Sequence, residues 1–339
     1  MNKLLILALL TTIIIESVWI YEHSKPQNPV NPPKPLLSYT FENLRKTKLP
    51  ASEITLGTVI SQNSDYISRL FYYYTPSKPN SKNMLKISGV INIPSSQGPH
   101  PVIIMFRGYI PSNSYSEGAG TQPSAESFAK NGFITLAPDF LGFGQSASGS
   151  ANGFENRFQT YTTALSLLAS IKNLNKSLSL EYGSKIQANL TKIGIWGHSN
   201  GGHIALATLA ISGVKYPTVL WAPVSTSFPY SILFFTNESE DRGKALRKAV
   251  AGFESLYNSA DFSPDNFYKY IKAPILVNQG LNDEEVPYWW SQNLVTTLTK
   301  DDISAKLITY PNSDHNFLPD GWSSAVTNSI SFFKSQFSQ

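Results

Sequence analysis

The stretch Lys192-Ile-Gly-Ile-Trp-Gly-His-Ser-Asn-Gly-Gly-His203 decides how this chain is read. Its first part, Lys192–Trp196, is a short apolar run of strand character, and Asn200–Ile211 has the pattern of an apolar helix. Between them lies Gly197-His198-Ser199-Asn200-Gly201. A serine on so sharp a strand-to-helix turn adopts a strained backbone, and the residues two positions away must be nearly free of side chain to avoid a clash. The following helix brings partial positive charge and a free N–H to the place where negative charge would develop on an oxygen. Ser199 is therefore the candidate nucleophile. The alternative is a glycine-rich turn carrying an unreactive serine.

Strand and helix patterns alternate on both sides of this turn. Strand-like runs lie at Val102–Phe106, Phe133–Ala137, Thr218–Trp221, Pro274–Asn278 and Ala305–Tyr310. Helix-like stretches lie near Ser124–Lys130, Arg157–Leu174, Tyr288–Thr299 and Trp322–Phe337. Before Pro101 come three runs rich in β-branched and aromatic residues, Ile54–Gln62, Tyr66–Thr75 and Met84–Ile93, separated by turn formers. Hairpins followed by strand–helix alternation predict an α/β fold. Its mainly parallel sheet should carry helices on both faces and antiparallel strands at its leading edge.

A serine hydroxyl needs a base and an acid that orients the base; on a fold of this kind they follow in the order Ser, acid, His. The chain has five histidines: His23, His100, His198, His203 and His315. Only His315 lies beyond the last strand run, in the loop Tyr310-Pro-Asn-Ser-Asp-His-Asn-Phe317, so elimination makes it the candidate base. The acid belongs just past the preceding strand run, where Gly280-Leu-Asn-Asp-Glu-Glu-Val-Pro287 offers Asp283, Glu284 and Glu285. Asp283, first after the glycine turn, is favoured. Asp314, next to the histidine, is read as a loop-capping residue.

Composition narrows the classes of partner. With 41% hydrophobic and 15% charged residues the chain is mostly globular. A net charge of +4 from scattered Lys and Arg, with no dense basic run, argues against a nucleic-acid partner. The absence of cysteine excludes disulfides, thiolate metal sites and a cysteine nucleophile. The histidines lack ligand spacing, and no phosphate loop is present, so neither a metal nor a cofactor is expected. At the N-terminus, Lys3 precedes an apolar run, Leu4–Ile15, which extends through Glu16 to Tyr21. About a dozen apolar residues suit a signal-peptide core and about 20 span a bilayer. No small-x-small cleavage signal follows, so residues 1–23 are read as an uncleaved anchor or a secretory signal, with a buried domain helix as the alternative. Lys3 predicts an N-in orientation with the body outside the cytoplasm, either anchored or secreted. Five prolines in residues 24–35 make an extended spacer, and one domain follows over 36–339.

Taken together, Gly-His-Ser-Asn-Gly-Gly, Gly-Leu-Asn-Asp-Glu-Glu-Val-Pro and Asp-His-Asn-Phe resemble the catalytic domain of the prolyl oligopeptidase family and related dienelactone-hydrolase-like esterases of the α/β-hydrolase superfamily. Ala137-Pro-Asp-Phe-Leu-Gly-Phe-Gly-Gln-Ser146 resembles their post-strand segment. The resemblance runs from about Leu85 to the C-terminus and implies an α/β-hydrolase fold. It also implies an oxyanion hole from main-chain N–H groups, assigned to Tyr109 and Asn200. Two departures stand out. Arg107-Gly108-Tyr109 replaces the usual His-Gly, so Arg107 either pairs with a carboxylate under its loop or reaches an anionic substrate. Residues 36–85 are also too few for the large β domain that screens peptides in full-length oligopeptidases. Roughly fifty residues separate Trp221 from Pro274, a long excursion. Its Phe228, Tyr230, Phe234, Phe235, Phe253, Tyr257 and Phe262 suggest an aromatic cap over 225–272 lining an apolar pocket, or else simple packing onto the domain. Of Trp289 and Trp290, at least one is expected in the core. Three functions fit: an ester hydrolase using Ser199, Asp283 and His315 through an acyl-enzyme, a peptidase of the same mechanism acting on short peptides or acylated amino acids, and a tethered binding module without catalysis.

Overall fold

A computed structural model describes residues 33–339. The proposed N-terminal anchor or signal segment, 1–23, and all but the end of the 24–35 spacer lie outside the described residues. Among the described residues no helix is long and apolar enough to cross a membrane.

The body, Leu36–Gln339, is built on one nine-stranded sheet. Its strands are β1 (Thr55–Gln62), β2 (Tyr66–Pro76), β3 (Met84–Pro94), β4 (Gly98–Phe106), β5 (Ile134–Pro138), β6 (Ile186–His198), β7 (Thr218–Trp221), β8 (Ile275–Gly280) and β9 (Ala305–Tyr310), in the order β1-β2-β3-β5-β4-β6-β7-β8-β9. The first three and β5 pair antiparallel, whereas β5, β4, β6, β7, β8 and β9 run parallel. The α/β architecture expected from the sequence is present, including its antiparallel leading edge. Among the described residues nine α-helices accompany it: α1 (Phe41–Lys46), α2 (Gln122–Lys130), α3 (Gly153–Ser170), α4 (Leu174–Tyr182), α5 (Asn200–Ser212), α6 (Tyr230–Leu233), α7 (Lys244–Glu254), α8 (Tyr288–Lys300) and α9 (Trp322–Gln336).

The two-residue period of β4 explains why helices cover both faces. Val102, Ile104 and Phe106 join one core with α3, α4 and α5, while Ile103 and Met105 join a second with α2 and α9. Gly194 of β6 lets α9 come close, since a Cβ there would lie 2.6 Å from the Phe333 ring. In α9, Ala325, Ile330 and Phe333 are buried at helical spacing.

The excursion between β7 and β8 carries α6 and α7, and its aromatic residues divide into two groups. Phe228, Phe253, Tyr257 and Phe262 are buried and pack on α3, with Phe262 stacked 4.8 Å from Phe158 and Phe253 4.8 Å from Phe154. Tyr230, Phe234 and Phe235 surround Trp290, which is buried, whereas Trp289 is exposed.

Candidate active site

All three residues singled out for chemistry lie just past the C-terminal ends of parallel strands: Ser199 after β6, Asp283 after β8 and His315 after β9. This is the edge of an open α/β sheet where ligands bind. Ser199 has φ 56° and ψ −122°, a left-handed conformation that costs a side-chain-bearing residue on the order of 1–3 kcal/mol. Main-chain bonds hold it there: its N–H donates to Trp221 O at 2.9 Å, and its carbonyl accepts from Gly202 at 2.9 Å and Val224 at 3.0 Å. The flanking glycines meet a space limit. A Cβ on Gly197 would lie 2.5 Å from Gly201 O, and one on Gly201 would lie 1.9 Å from Phe106 O. The turn can be this tight only without those side chains.

His315 and Asp283 are brought together by two interlocked loops. Leu281 N–H donates to Tyr310 O and Asn282 N–H to Ser313 O, both at 3.0 Å. The imidazole Nδ1 then lies 2.8 Å from Asp283 Oδ2. The Asp283 carboxylate is sealed from solvent, and burying such a charge is costly unless donors surround it. Three more are present. Oδ1 accepts from Glu285 N at 2.9 Å and Val286 N at 2.8 Å, and Oδ2 accepts from Gln279 Nε2 at 2.8 Å. Gln279 is itself oriented by Ser291, whose hydroxyl donates to its Oε1 at 2.7 Å. Among the three carboxylates in this loop, Asp283 meets Nδ1. Glu285 reaches the other ring nitrogen, with Oε2 3.7 Å from Nε2, but is 64% exposed. Glu284 is exposed. Asp314 turns away and caps its own loop, accepting from Asn316 N and Leu318 N, each at 2.8 Å.

His198 supports this side of the site from below. Its Nε2–H donates to His315 O at 3.0 Å, and the two rings lie 4.7 Å apart. Burial first, and then the charge on a protonated His315, hold the His198 pKa down to about 4, so it remains a neutral donor.

On the opposite side of Ser199, the segment Arg107–Tyr109 passes so close that a Cβ on Gly108 would sit 3.0 Å from Ser199 Cβ. Tyr109 and Asn200 both line a cavity of about 260 Å³. Among the described residues, neither main-chain N–H donates to another backbone group, and Asn200 is the first residue of α5, where helix amides are free. Arg107 departs from one of its two expected roles. It is buried but pairs with no carboxylate among the described residues. Its Nη1 donates to Gly108 O at 2.9 Å and its Nη2 to Asp139 O at 3.2 Å. The guanidinium lies 4.1 Å over Phe143 and 4.7 Å over Tyr115. Tyr115, not Arg107, bonds the Asp139 carboxylate, at 2.6 Å.

Of the two expectations for the excursion aromatics, packing onto the domain is the one that describes them at this cavity. Its walls come from the loop after β4, the loop after β5, and helices α3 and α5; none of the seven aromatic residues of 225–272 contributes. Phe228, Phe253 and Phe262 lie instead against the aromatic face of α3, Phe234 and Phe235 pack on Trp290, and Tyr230 is half exposed. Three residues that bear on the site were not singled out for it from sequence: Gln279, His198 and Arg157 of α3. For Gln279 a signal exists, since a polar residue inside a buried strand must have a partner.

Sequence comparison matches residues 180–339 to the prolyl oligopeptidase family and residues 72–222 to chlorophyllase. The two overlap on β6, the serine turn and α5. The chain is a serine hydrolase of the α/β-hydrolase fold. Among solved structures, acetyl xylan esterase 1 from Thermoanaerobacterium sp. JW/SL YS485 is 18% identical with a TM-score of 0.55, the match covering 89% of this chain and 95% of that one. Acetyl xylan esterase from Paenibacillus sp. R4 is 17% identical with a TM-score of 0.54, covering 92% and 98%. The acylaminoacyl peptidase of Pyrococcus horikoshii is 17% identical with a TM-score of 0.52; the match covers 80% of this chain but only 48% of the peptidase. At these identities the structural likenesses establish the fold and leave the substrate to be argued from the site.

Proposed function

We propose that this serine hydrolase cleaves carboxylic esters through an acyl-enzyme. The observation that carries the reading is the 2.8 Å contact between His315 Nδ1 and a buried, fully bonded Asp283, on the same sheet edge as the strained Ser199. A carboxylate at Nδ1 holds the imidazole in the tautomer whose Nε2 is free to accept a proton. In the proposed reaction Ser199 Oγ attacks the ester carbonyl carbon while His315 Nε2 takes the hydroxyl proton. The carbonyl electrons move to an oxyanion received by the Tyr109 and Asn200 N–H groups. Collapse breaks the bond to the alcohol oxygen, which takes the proton back from His315. Water then repeats the sequence on the acyl-serine and releases the acid.

Ester chemistry is favoured over peptide chemistry by how fully the matches cover the proteins compared. The matches span 95% and 98% of the two acetyl xylan esterase chains but less than half of the acylaminoacyl peptidase chain. The prolyl oligopeptidase match over 180–339 supports the second reading, a peptidase acting on short peptides or acylated amino acids. A fluorophosphonate probe should label the wild type and not Ser199→Ala; absent labelling of the wild type would instead favour a non-catalytic binding module. Turnover of alkyl esters should exceed that of aminoacyl amides, and strong amidase activity would replace the first reading with the second. The body is further proposed to work outside the cytoplasm, anchored or secreted through Lys3, the apolar run Leu4–Ile15 and the 24–35 spacer. Protease accessibility of the body in intact cells would test that placement.

A further inference from the structure

The cavity beside Ser199 has an unusual balance of charge. Two guanidinium groups, Arg107 and Arg157, line it together with Asn156, Thr160 and the aromatic rings of Phe140 and Phe143, and no carboxylate is among its lining residues. His203, also in its wall, adds no charge: burial pushes its pKa well down, and its ring is occupied by Tyr161 Oη at 2.8 Å and Val224 O. Arg107 spends Nη1 and Nη2 on carbonyls, but its Nε is buried without a partner. Arg157 is less satisfied still. Its Nε and Nη2 are both sealed from solvent with no hydrogen-bond partner in the protein, and among the described residues neither arginine forms an ion pair.

Guanidinium donors hidden from water without acceptors are costly, and the ligand that satisfies a planar pair of N–H donors best is a carboxylate. The Phe228 ring, 6.0 Å from the Arg157 guanidinium, supplies no acceptor lone pair, and the Tyr161 phenol, which feels the Arg157 charge, is already engaged with His203 Nε2 at 2.8 Å. Tyr109 and Asn200, the proposed oxyanion donors, border the same space. An ester carbonyl placed at Ser199 therefore puts the rest of its substrate within reach of these arginines. We infer that the cavity is a specificity site for esters carrying a second, ionised carboxylate, with Arg157 as its principal contact and Arg107 as the supporting charge. The inference rests on the ester-hydrolase reading of Ser199.

Two measurements separate the inference from that reading. In a pH-stat, the wild type should turn over a charged ester, monoethyl adipate or the acetate ester of 6-hydroxyhexanoate, with a higher kcat/KM than neutral ethyl hexanoate. Arg157→Gln should cut the charged-to-neutral ratio by about tenfold or more, and Arg157→Lys should recover part of it. By calorimetry, adipate should bind Ser199→Ala, and the added Arg157→Gln change should weaken that binding by a similar factor. Ser199-dependent hydrolysis without preference for either charged ester overturns the specificity site and leaves the hydrolase reading standing. Adipate binding that depends on Arg157, in a protein that hydrolyses none of the esters, retains the anion site and overturns the ester reading. No adipate binding and no charge preference overturns the inference.

Discussion

The two sides of Ser199 are built to opposite rules. On the His315 side the groups around the acid have their partners: Asp283 receives four contacts, Gln279 is fixed by Ser291, and His198 holds the His315 carbonyl, while Ser313 Oγ, past β9, and Asn278 Nδ2, on β8, have none. On the cavity side, Arg107 and Arg157 keep buried N–H donors with nothing to receive them. A saturated network holds one geometry and has no reason to bind anything; an unsaturated one is completed by a ligand. The contrast separates a side of Ser199 whose geometry is fixed by internal bonds from one that, in the proposal above, a charged substrate completes.

The sharpest way to break the saturated side is Asp283→Asn, which keeps the shape but offers His315 Nδ1 an amide. Loss of kcat by about 10⁴-fold is expected, with the fluorophosphonate rate falling in parallel. A decrease of less than tenfold would move the orienting role to another carboxylate, and Glu285 is the one to test next.

Acid should loosen the same side. The His198 pKa of about 4 in the folded protein lies below its ordinary 6.5, so as pH falls the unfolded chain takes up the proton first. Its stabilising contribution is complete above about pH 6.5 and is lost as the pH drops towards 4, at most about 3 kcal/mol. His203, pushed down by burial, acts in the same direction. Urea denaturation at pH 7, 6 and 5 should show a declining midpoint, and His198→Gln should flatten that decline. An unchanged slope in the variant would remove His198 from the account.

Gln279→Leu gives the smallest effect. It removes one of the Asp283 donors while keeping the strand apolar, so about a tenfold decrease in kcat with little change in KM is expected. A change confined to KM would instead place Gln279 on the substrate side. The same variant should leave the charged-to-neutral ester ratio intact, because Gln279 touches none of the cavity residues.

Much of the fold was legible because its signals are local. Every strand run read from the sequence is a strand, for an apolar run of five or six residues between turn formers has few other outcomes. The start of β6 is not legible in the sequence: Ile186–Asn189 pairs with Gly98–Pro101, but alternating polar residues there give no apolar run. Helix α4 carries little signal beyond its first residue, which ends the helical pattern Arg157–Leu174, because its buried positions are just Leu174, Ser177 and Leu178. The aromatic residues of the excursion were legible as apolar and not as to where they point. Whether Phe253 faces a pocket or α3 depends on a neighbour almost a hundred residues away.

By itself the sequence determined the strand order along the chain, the strained turn at Ser199 and the singling out of His315. The turn is marked by the glycines two positions on either side of Ser199, although the space limit at Gly201 is set by Phe106 O from β4, and the histidine is singled out by the scarcity of its kind. Tertiary structure decided which of three adjacent carboxylates meets Nδ1, because that depends on how the β8 and β9 loops interlock. It alone also set Arg157 beside Arg107, since their meeting requires α3 and the loop after β4 to close on one cavity. A contact between distant segments follows from the register and packing of whole elements, and no local stretch of sequence carries that information.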